Sequence, residues 1–297
     1  MTFTTHLTAE TLTLAEKIEE KVRPYHKKVE DMAFINQQKV LSAFRAHQVS
    51  DYHLHPSNGY GYDDEGRDNL ERVYAQVFGA EAAIVRPQII SGTHAITLSL
   101  FGVLRPGDEL LYISGQPYDT LQSIVDGGDK DTGSLKDYKI GYRHVDLIDN
   151  ETIDWTAVAA AITPNTKMIA IQRSKGYATR PSFTISQIAE MCEKVRELAP
   201  HAVIFVDNCY GEFVEAQEPT EVGADLMAGS LIKNPGGGLA KIGGYIAGRA
   251  DLVEKCAYRM TSPGIGAEAG ATLNTLGDFY QGFFLAPHVV SQALKGA

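Results

Sequence analysis

Cysteine is scarce in the sequence, and its spacing matches no bridge or ligand pattern. Only Cys192, Cys209 and Cys256 occur among 297 residues, and no two of them form a CxxC pair. An odd number of widely spaced cysteines excludes a disulfide framework and gives no zinc spacing. His, Cys and carboxylate residues form no other cluster with ligand spacing, so we predict no metal site. This cysteine usage favours the reducing cytoplasm.

Long apolar runs and an excess of positive charge are also missing. No stretch approaches the roughly 20 apolar residues of a membrane span, and residues 1–20 lack the apolar core of a signal peptide. The formal net charge is −10, from 27 basic and 37 acidic residues. A nucleic acid partner needs a basic face. We therefore expect neither a membrane nor a nucleic acid partner.

The sequence does contain short apolar segments that alternate with helical segments. Predicted strands cover residues 82–86, 109–113, 139–145, 167–172, 202–207, 225–230 and 244–247. Predicted helices between them cover residues 92–104, 119–126, 155–161 and 186–198. This alternation predicts an α/β fold, a three-layer αβα sandwich on a mostly parallel seven-stranded sheet.

Both ends of the sequence are predicted to be helical. Residues 8–23 have apolar side chains at helical spacing behind an N-cap, and Pro24 is predicted to end this helix because proline disrupts a helix interior. A second helical stretch is predicted to run to about His47. At the other end, the pattern indicates a helix over residues 273–297.

Two polar segments that contain glycine are predicted to be loops. Residues 51–67 mix Gly, Asp, Asn and Pro with aromatic residues. They form either a cluster of surface turns or a segment through which Tyr60, Tyr62 and Arg67 reach a site, including a site in a neighbouring subunit. Residues 127–136 form either a surface turn or an active-site flap.

Two apolar segments end in a charged residue. Residues 203–206 lead into Asp207, and residues 231–232 precede Lys233. Open α/β sheets place their sites at the carboxyl ends of parallel strands, so both side chains are candidates for a site. Asp207 has the simpler alternative of capping the turn that follows it. Lys233 is expected to be partly desolvated, which lowers the pKa of its amine and makes it a better nucleophile.

The segment Ser91-Gly92-Thr93-His94 follows an apolar pair and opens a predicted helix. Free N–H groups at such a helix start can hold a phosphate, whereas an ordinary serine N-cap explains the same residues equally well. A strand-end acid, a shielded lysine and a helix start together fit a pyridoxal 5'-phosphate site better than a site for another cofactor.

Longer segments resemble the fold-type I pyridoxal-phosphate enzymes, in particular the Cys/Met-metabolism group and its methionine γ-lyase-like branch of aluminium resistance proteins. The resemblance is carried by GYGYDDEGRD (59–68), VRPQIISGTHAI (85–96), LRPGDELLYISGQPYDTL (104–121), QRSKGYATRPS (172–182), VDNCYGEF (206–213) and GSLIKNPGGGLAKIGGYIAG (229–248). These segments follow the family order over most of the chain.

The resemblance implies how the cofactor ring would be held. Lys233 would form the internal Schiff base, Asp207 would pair with the pyridine nitrogen, and Tyr118 would stack on the ring. Arg173 and Ser174 would lie near the oxygen side of the ring, where this sequence has no asparagine.

The resemblance also implies how the phosphate would be held. It would be bound by the backbone N–H groups of Gly92 and Thr93 and by the hydroxyls of Ser91 and Ser230. Tyr60 or Tyr62 would reach the phosphate of a neighbouring subunit. A homodimer or homotetramer with sites at the subunit interface is therefore the expected assembly.

The same resemblance divides the chain into three parts. Residues 1–48 would be an N-terminal helical segment, residues 49–285 the large cofactor-binding domain, and residues 286–297 the start of a helix toward a small C-terminal domain. That small domain, in which such enzymes usually carry the arginine for the substrate carboxylate, is expected to be largely absent from the sequence.

The activity that the resemblance implies is a carbon–sulfur lyase acting on a sulfur-containing amino acid by β- or γ-elimination. Two alternatives stay open at this point, because fold and cofactor do not fix the reaction. One is a relative that binds the cofactor without catalysis. The other is a pyridoxal-phosphate aminotransferase.

Overall fold

A single twisted sheet organises the chain, described here by a computed structural model that covers residues 7–128 and 131–297. Its strands are β1 (Ala82–Arg86), β2 (Glu109–Tyr112), β3 (Gly141–His144), β4 (Thr166–Gln172), β5 (Val203–Asp207), β6 (Leu226–Ser230) and β7 (Gly244–Gly248). The helices are α1 (Ala9–Ala46), α2 (Glu65–Val77), α3 (Gly92–Val103), α4 (Asp119–Val125), α5 (Trp155–Ala161), α6 (Ile185–Leu198), α7 (Ala250–Met260) and α8 (Leu276–Gly296).

The sheet has seven strands in the order β1-β7-β6-β5-β4-β2-β3. Strands β2 to β6 pair in parallel, whereas β7 is antiparallel to both β1 and β6. The prediction of a mostly parallel seven-stranded sheet is confirmed. Because parallel strands point the same way, the residues that end β4, β5 and β6, Gln172, Asp207 and Ser230, lie along one edge of the sheet.

Each face of the sheet is covered by helices, which gives the three predicted layers. One apolar core contains buried residues of α1, α2, α6 and α8, and the other contains buried residues of α3, α4 and α7. Strand β5 is buried at every position, which explains its continuous apolar sequence. Because β5 is packed on both faces, Asp207 at its end is held in a fixed position.

Close backbone contact holds α8 against the turn that follows Lys233. A Cβ atom built on Gly282 would come within 2.2 Å of the carbonyl oxygen of Gly236, and one on Gly237 within 2.2 Å of the carbonyl oxygen of Gly282. Gly237 also has a positive φ of 55°, which an L side chain rarely adopts. Glycine is therefore required where the lysine turn meets α8.

The prediction that Pro24 ends the first helix is wrong. Helix α1 continues through Pro24 to Ala46. Proline has no N–H group, so the carbonyl of Glu20, four residues before Pro24, loses its helical donor. Pro24 and Glu20 both lie on the exposed surface, where water can satisfy that carbonyl. The second half of α1 then packs on α8, and Lys295 forms an ion pair of 2.8 Å with Glu30.

The predicted loop at residues 51–67 is more ordered than its composition indicates. It contains a 3-10 turn at Asp51–Leu54, and α2 begins inside it at Glu65 behind the N-cap Asp64. The guanidinium of Arg67 is buried and donates to the carbonyls of Gly61, Glu268 and Gly270. Arg67 thus holds the loop in place and does not reach a site.

Helices α2 and α7 were not predicted from the sequence. In the predicted loop 127–136, residues 127–128 and 131–136 are irregular, and residues 129–130 lie outside the described residues, as do residues 1–6 of the predicted N-terminal segment. Over residues 7–128 and 131–297, no helix has both the length and the apolar character needed to cross a membrane.

Candidate active site at the carboxyl edge of the sheet

A cavity of about 400 Å³ opens at the edge where β4 and β5 end. Its walls come from the segments after β4 and β5, from the start of α4 and from the lysine turn after β6. The side chains that line it include those of Tyr118, Gln172, Ser174, Asp207, Cys209, Tyr210 and Lys233. The fold thus brings together three residues that the sequence singled out, Asp207, Lys233 and Tyr118.

Asp207 is a buried carboxylate without a cationic partner. Its Oδ1 accepts a hydrogen bond of 3.1 Å from the backbone N–H of Cys209, so the capping role considered from the sequence is also present. Within the described chain, no Lys, Arg or His side chain forms an ion pair with it. Burial raises the pKa of Asp207, although the Cys209 N–H group and the charges of Lys233 and Arg180 oppose that change.

Lys233 extends into the same cavity from the turn after β6. Its Nζ atom lies 4.0 Å from the centroid of the Tyr210 ring. Burial lowers the pKa of Lys233, but its surroundings, which include the Asp207 carboxylate, outweigh burial and raise the pKa above its ordinary value. Desolvation thus lowers the pKa of this amine, as the sequence predicted, but it does not set the net direction in the cofactor-free chain.

The start of α3 lies beside this cavity. The Ser91 hydroxyl accepts the backbone N–H of His94 at 3.1 Å and is thus an N-cap, which confirms the simpler of the two interpretations. The N–H groups of Gly92 and Thr93 occupy the first turn, where a helix offers them no internal partner. A Cβ atom on Gly92 would lie 3.0 Å from Cβ of Ser230 and 3.1 Å from Sγ of Cys209. The helix start therefore faces the end of β6.

Tyr118 connects the helix start with the cavity wall. Its hydroxyl lies 2.7 Å from Oγ1 of Thr93, and its backbone N–H donates to Oε1 of Gln172 at 3.0 Å. Gln172 in turn donates to the carbonyl of Ser174 at 3.0 Å. Burial raises the pKa of Tyr118, so the phenol is neutral at physiological pH. The ring is thereby fixed at two points.

The structure does not bring Arg173 into the cavity. Its guanidinium is buried and donates to Asn208 Oδ1 at 2.9 Å, to the Gly211 carbonyl at 3.0 Å and to Glu215 at 2.8 Å. Asn208 also donates to Glu218 at 2.8 Å. Arg173 therefore supports the turn after Asp207, and only its neighbour Ser174 lines the cavity.

Tyr60 and Tyr62 lie outside the cavity of their own chain. Their rings stack with centroids 5.6 Å apart and are 77% and 54% exposed. The Tyr60 carbonyl accepts the N–H of Gly270 at 2.8 Å, which fixes the segment that carries the pair. The two rings are thus presented to solvent.

Cys209, Tyr210 and Gln172 are cavity residues that sequence reasoning did not assign. Gln172 ends β4 in the way that Asp207 ends β5, so the strand-end rule could have identified it. Cys209 and Tyr210 directly follow Asp207, and their position in the motif VDNCYGEF was the available signal. The left-handed backbone at Tyr210, with φ of 69°, was not visible in the sequence.

The residues present fit pyridoxal 5'-phosphate. A phosphate needs hydrogen-bond donors, and the first turn of α3 supplies two N–H groups beside the Ser230 hydroxyl. A protonated pyridine nitrogen needs a carboxylate, and Asp207 is buried there without a cation. An aldehyde needs a primary amine, and Lys233 forms no ion pair within the described chain. Tyr118 adds an aromatic face.

Comparisons with known proteins identify a family and several relatives to which this chain is similar. A family model described as methionine gamma-lyase matches residues 11–297. The protein YnbB of Bacillus subtilis, which is uncharacterized, is 64% identical over 284 residues, that is 95% of this chain and 68% of YnbB. The chain thus spans about two thirds of the length of that relative.

Solved structures are similar over the same extent. A Listeria monocytogenes protein, provisionally named a cystathionine beta-lyase involved in aluminum resistance, superposes with a TM-score of 0.95 at 62% identity. The match covers 96% of this chain and 70% of that one. A carbon-sulfur lyase involved in aluminum resistance from Clostridium novyi gives a TM-score of 0.94 at 43% identity and covers 98% of this chain and 69% of that one.

Proposed function

The chain belongs to the methionine gamma-lyase family, and from this membership we propose that it is a pyridoxal-phosphate-dependent carbon–sulfur lyase. Members of the family are pyridoxal-phosphate-dependent. The proposed substrate is a sulfur-containing amino acid, from which a thiol leaves by β- or γ-elimination. The name of the Clostridium novyi relative supports this choice over other reactions of the same cofactor.

One observation carries the proposal. Asp207 and Lys233 line one cavity, and neither forms an ion pair within the described chain. A buried carboxylate without a partner destabilises a fold, so its retention next to a lysine indicates that an external group completes the pair. A cofactor with a protonated ring nitrogen and an aldehyde has the two groups that are needed.

The residues of the chain have separate tasks in this proposal. Bound cofactor supplies an electron sink for the charge that develops at the substrate α-carbon. Asp207 would keep a proton on the ring nitrogen through its buried negative charge. The Lys233 amine would hold the cofactor and later take the proton from the α-carbon. Tyr118, fixed by Thr93 and Gln172, would keep the ring in one plane.

A product assay tests the proposal. The purified chain, supplied with pyridoxal 5'-phosphate, is incubated with sulfur-containing amino acids, and thiol and 2-oxo acid are measured. Lys233→Ala should abolish release of both, whereas Lys241→Ala, which changes a lysine that is 84% exposed, should have no effect. Amino transfer to a 2-oxo acid without thiol would instead indicate an aminotransferase. Bound cofactor without either product would indicate a non-catalytic relative.

We also propose that the active assembly is at least a homodimer. Tyr60 and Tyr62 are exposed and lie away from the cavity of their own chain, which leaves them available to a neighbouring site. Mixing a Lys233→Ala chain with a chain in which both tyrosines are changed to Ala should restore part of the activity in hybrid dimers. A purely monomeric chain by light scattering, or no recovery on mixing, would contradict this assembly.

A further inference from the structure

The ring of Tyr210 is the nearest aromatic surface to the Lys233 amine. Nζ lies 4.0 Å from the ring centroid, well inside the range in which a cation is attracted by an aromatic face. Tyr210 is 58% exposed, so its ring closes the cavity from the solvent side and is not part of the apolar core. The ring thus contacts the amine at the mouth of the site.

The backbone holds Tyr210 in this place at some cost. Its φ of 69° lies in the left-handed region, which a bulky residue adopts only when its surroundings impose it. Asn234, the residue after the lysine, imposes it through its side-chain amide. That amide donates to the carbonyl of Tyr210 at 3.2 Å and to the carbonyl of Glu212 at 2.9 Å. One side chain therefore joins the lysine turn to the turn that carries the ring.

The other groups around Lys233 do not offer the same support to a positive charge at neutral pH. Burial raises the pKa of the Cys209 thiol well above its ordinary value, so it is neutral. Glu212 is buried behind β6, and its carboxyl bonds to Tyr245 at 2.7 Å. Asp207 faces the same cavity, but in the proposed function its charge belongs to the cofactor ring.

From these contacts we propose that Tyr210 is a positioning residue, whose ring face holds the protonated Lys233 amine whenever that amine is not bonded to the cofactor. The inference rests on the proposed role of Lys233 as the cofactor lysine. The contact acts through the ring and not through the hydroxyl, and it favours the charged form of the amine. Lys233 is thereby stabilised after it has taken up a proton and kept beside the reacting carbon.

The test measures the protonation of Lys233 directly, in the full chain freed of cofactor. Trace labelling with an acid anhydride is read at Lys233 by mass spectrometry over a series of pH values, since only the neutral amine reacts. Tyr210→Asn removes the ring and suits a left-handed backbone. It should lower the labelling midpoint by about 0.5–1 pH unit, the size of a partly desolvated cation–ring contact. Tyr210→Phe, which keeps the ring, should leave the midpoint unchanged.

Control variants make each outcome decisive. Tyr177→Leu changes another tyrosine at the cavity, 94% exposed, and should not move the midpoint. Tyr210→Leu repeats the ring removal if the Asn variant does not fold. Equal shifts in the Phe and Asn variants would assign the effect to the hydroxyl and overturn the proposal, and so would no shift in either. The labelling requires no cofactor, so its result is independent of whether the parent chain binds pyridoxal 5'-phosphate.

Discussion

The molecule holds buried charges in two different ways. Arg86, which is fully buried, donates to Glu71 at 2.5 Å and to the carbonyls of Ala267 and Ala269 at 2.7 and 2.8 Å. Asp207 is almost as deeply buried, but within the described chain its hydrogen bonds come only from its neighbour Cys209 and it forms no ion pair. The first charge is satisfied by the protein itself, and the second is not.

This difference separates framework from site. A buried charge with complete hydrogen bonding fixes the segments that it joins, as Arg86 fixes residues 267–269 against α2. A buried charge left without a partner costs free energy unless something outside the chain completes it. The cavity around Asp207 and Lys233 is therefore where an external group is expected.

The largest effect is expected from removing a framework charge. Arg86→Ala leaves Glu71 buried without its cation and should lower the free energy of unfolding by about 3–5 kcal/mol, measured by urea denaturation. Arg259→Ala is the matched control, because Arg259 is an exposed cation 5.2 Å from the Phe101 ring. It should cost less than about 1 kcal/mol. An Arg86→Ala chain as stable as its parent would remove the distinction between the two kinds of charge.

Removing the charge of Asp207 should have the opposite effect on the free energy of unfolding. Asp207→Asn keeps the acceptor for the Cys209 N–H and removes the unpaired charge. The pKa of Asp207 is raised in the folded chain, so its stabilising contribution is complete below the ordinary carboxyl pKa and is lost as the pH rises. At neutral pH without cofactor, Asp207→Asn should raise the free energy of unfolding by about 1 kcal/mol.

Adding cofactor should reverse the order of stability of the parent and Asp207→Asn chains. The parent chain should gain more stability from pyridoxal 5'-phosphate than the Asp207→Asn chain, because a ligand that binds the folded state more tightly stabilises it more. Thermal unfolding with and without the cofactor measures both effects. If Asp207→Asn is the less stable chain without cofactor, Asp207 belongs to the framework.

Glu212 is a third buried carboxyl, and its effect is expected to depend on pH and to be smallest under acidic conditions. Burial raises its pKa to about 8, although the Tyr245 hydroxyl bond opposes the change, and its Oε2 has no hydrogen-bond partner within the described residues. The carboxyl is therefore mostly protonated near neutral pH, and its contribution to the stability of the parent chain is complete below the ordinary carboxyl pKa and is lost as the pH rises through about 8.

Glu212→Gln keeps the acceptor for Tyr245 and removes the titration. It should match the parent in urea denaturation near about pH 5 and exceed it by about 1–2 kcal/mol near about pH 9. Parallel stability curves for the two chains across this range would show that Glu212 is already charged in the folded state.

The sheet could be predicted because its strands are buried. Continuous apolar segments such as residues 203–206 admit few other interpretations, and polar residues at their ends then indicated the site edge. The prediction that Asp207 and Lys233 lie at one site followed from the same rule. Helix α2 was missed because it begins at Glu65 inside a stretch rich in Gly and Asp, although its apolar residues have helical spacing.

Features that depend on tertiary contacts could not be predicted. Pro24 does not break α1, because the free carbonyl is exposed and the second half of the helix is held by α8. Arg67 and Arg173 resembled site residues in the sequence, but both are enclosed by carbonyl and carboxylate acceptors from distant segments. The place of Tyr210 over Lys233 depends on a left-handed residue and on Asn234.

The central claim is that the cavity binds pyridoxal 5'-phosphate through Lys233. The most direct measurement is borohydride reduction of the purified chain with cofactor, followed by peptide mapping of the modified lysine. The claim predicts one pyridoxyl group per chain on Lys233, present in the Lys241→Ala control and absent in Lys233→Ala. Modification spread over exposed lysines, or no modification of Lys233, would contradict it.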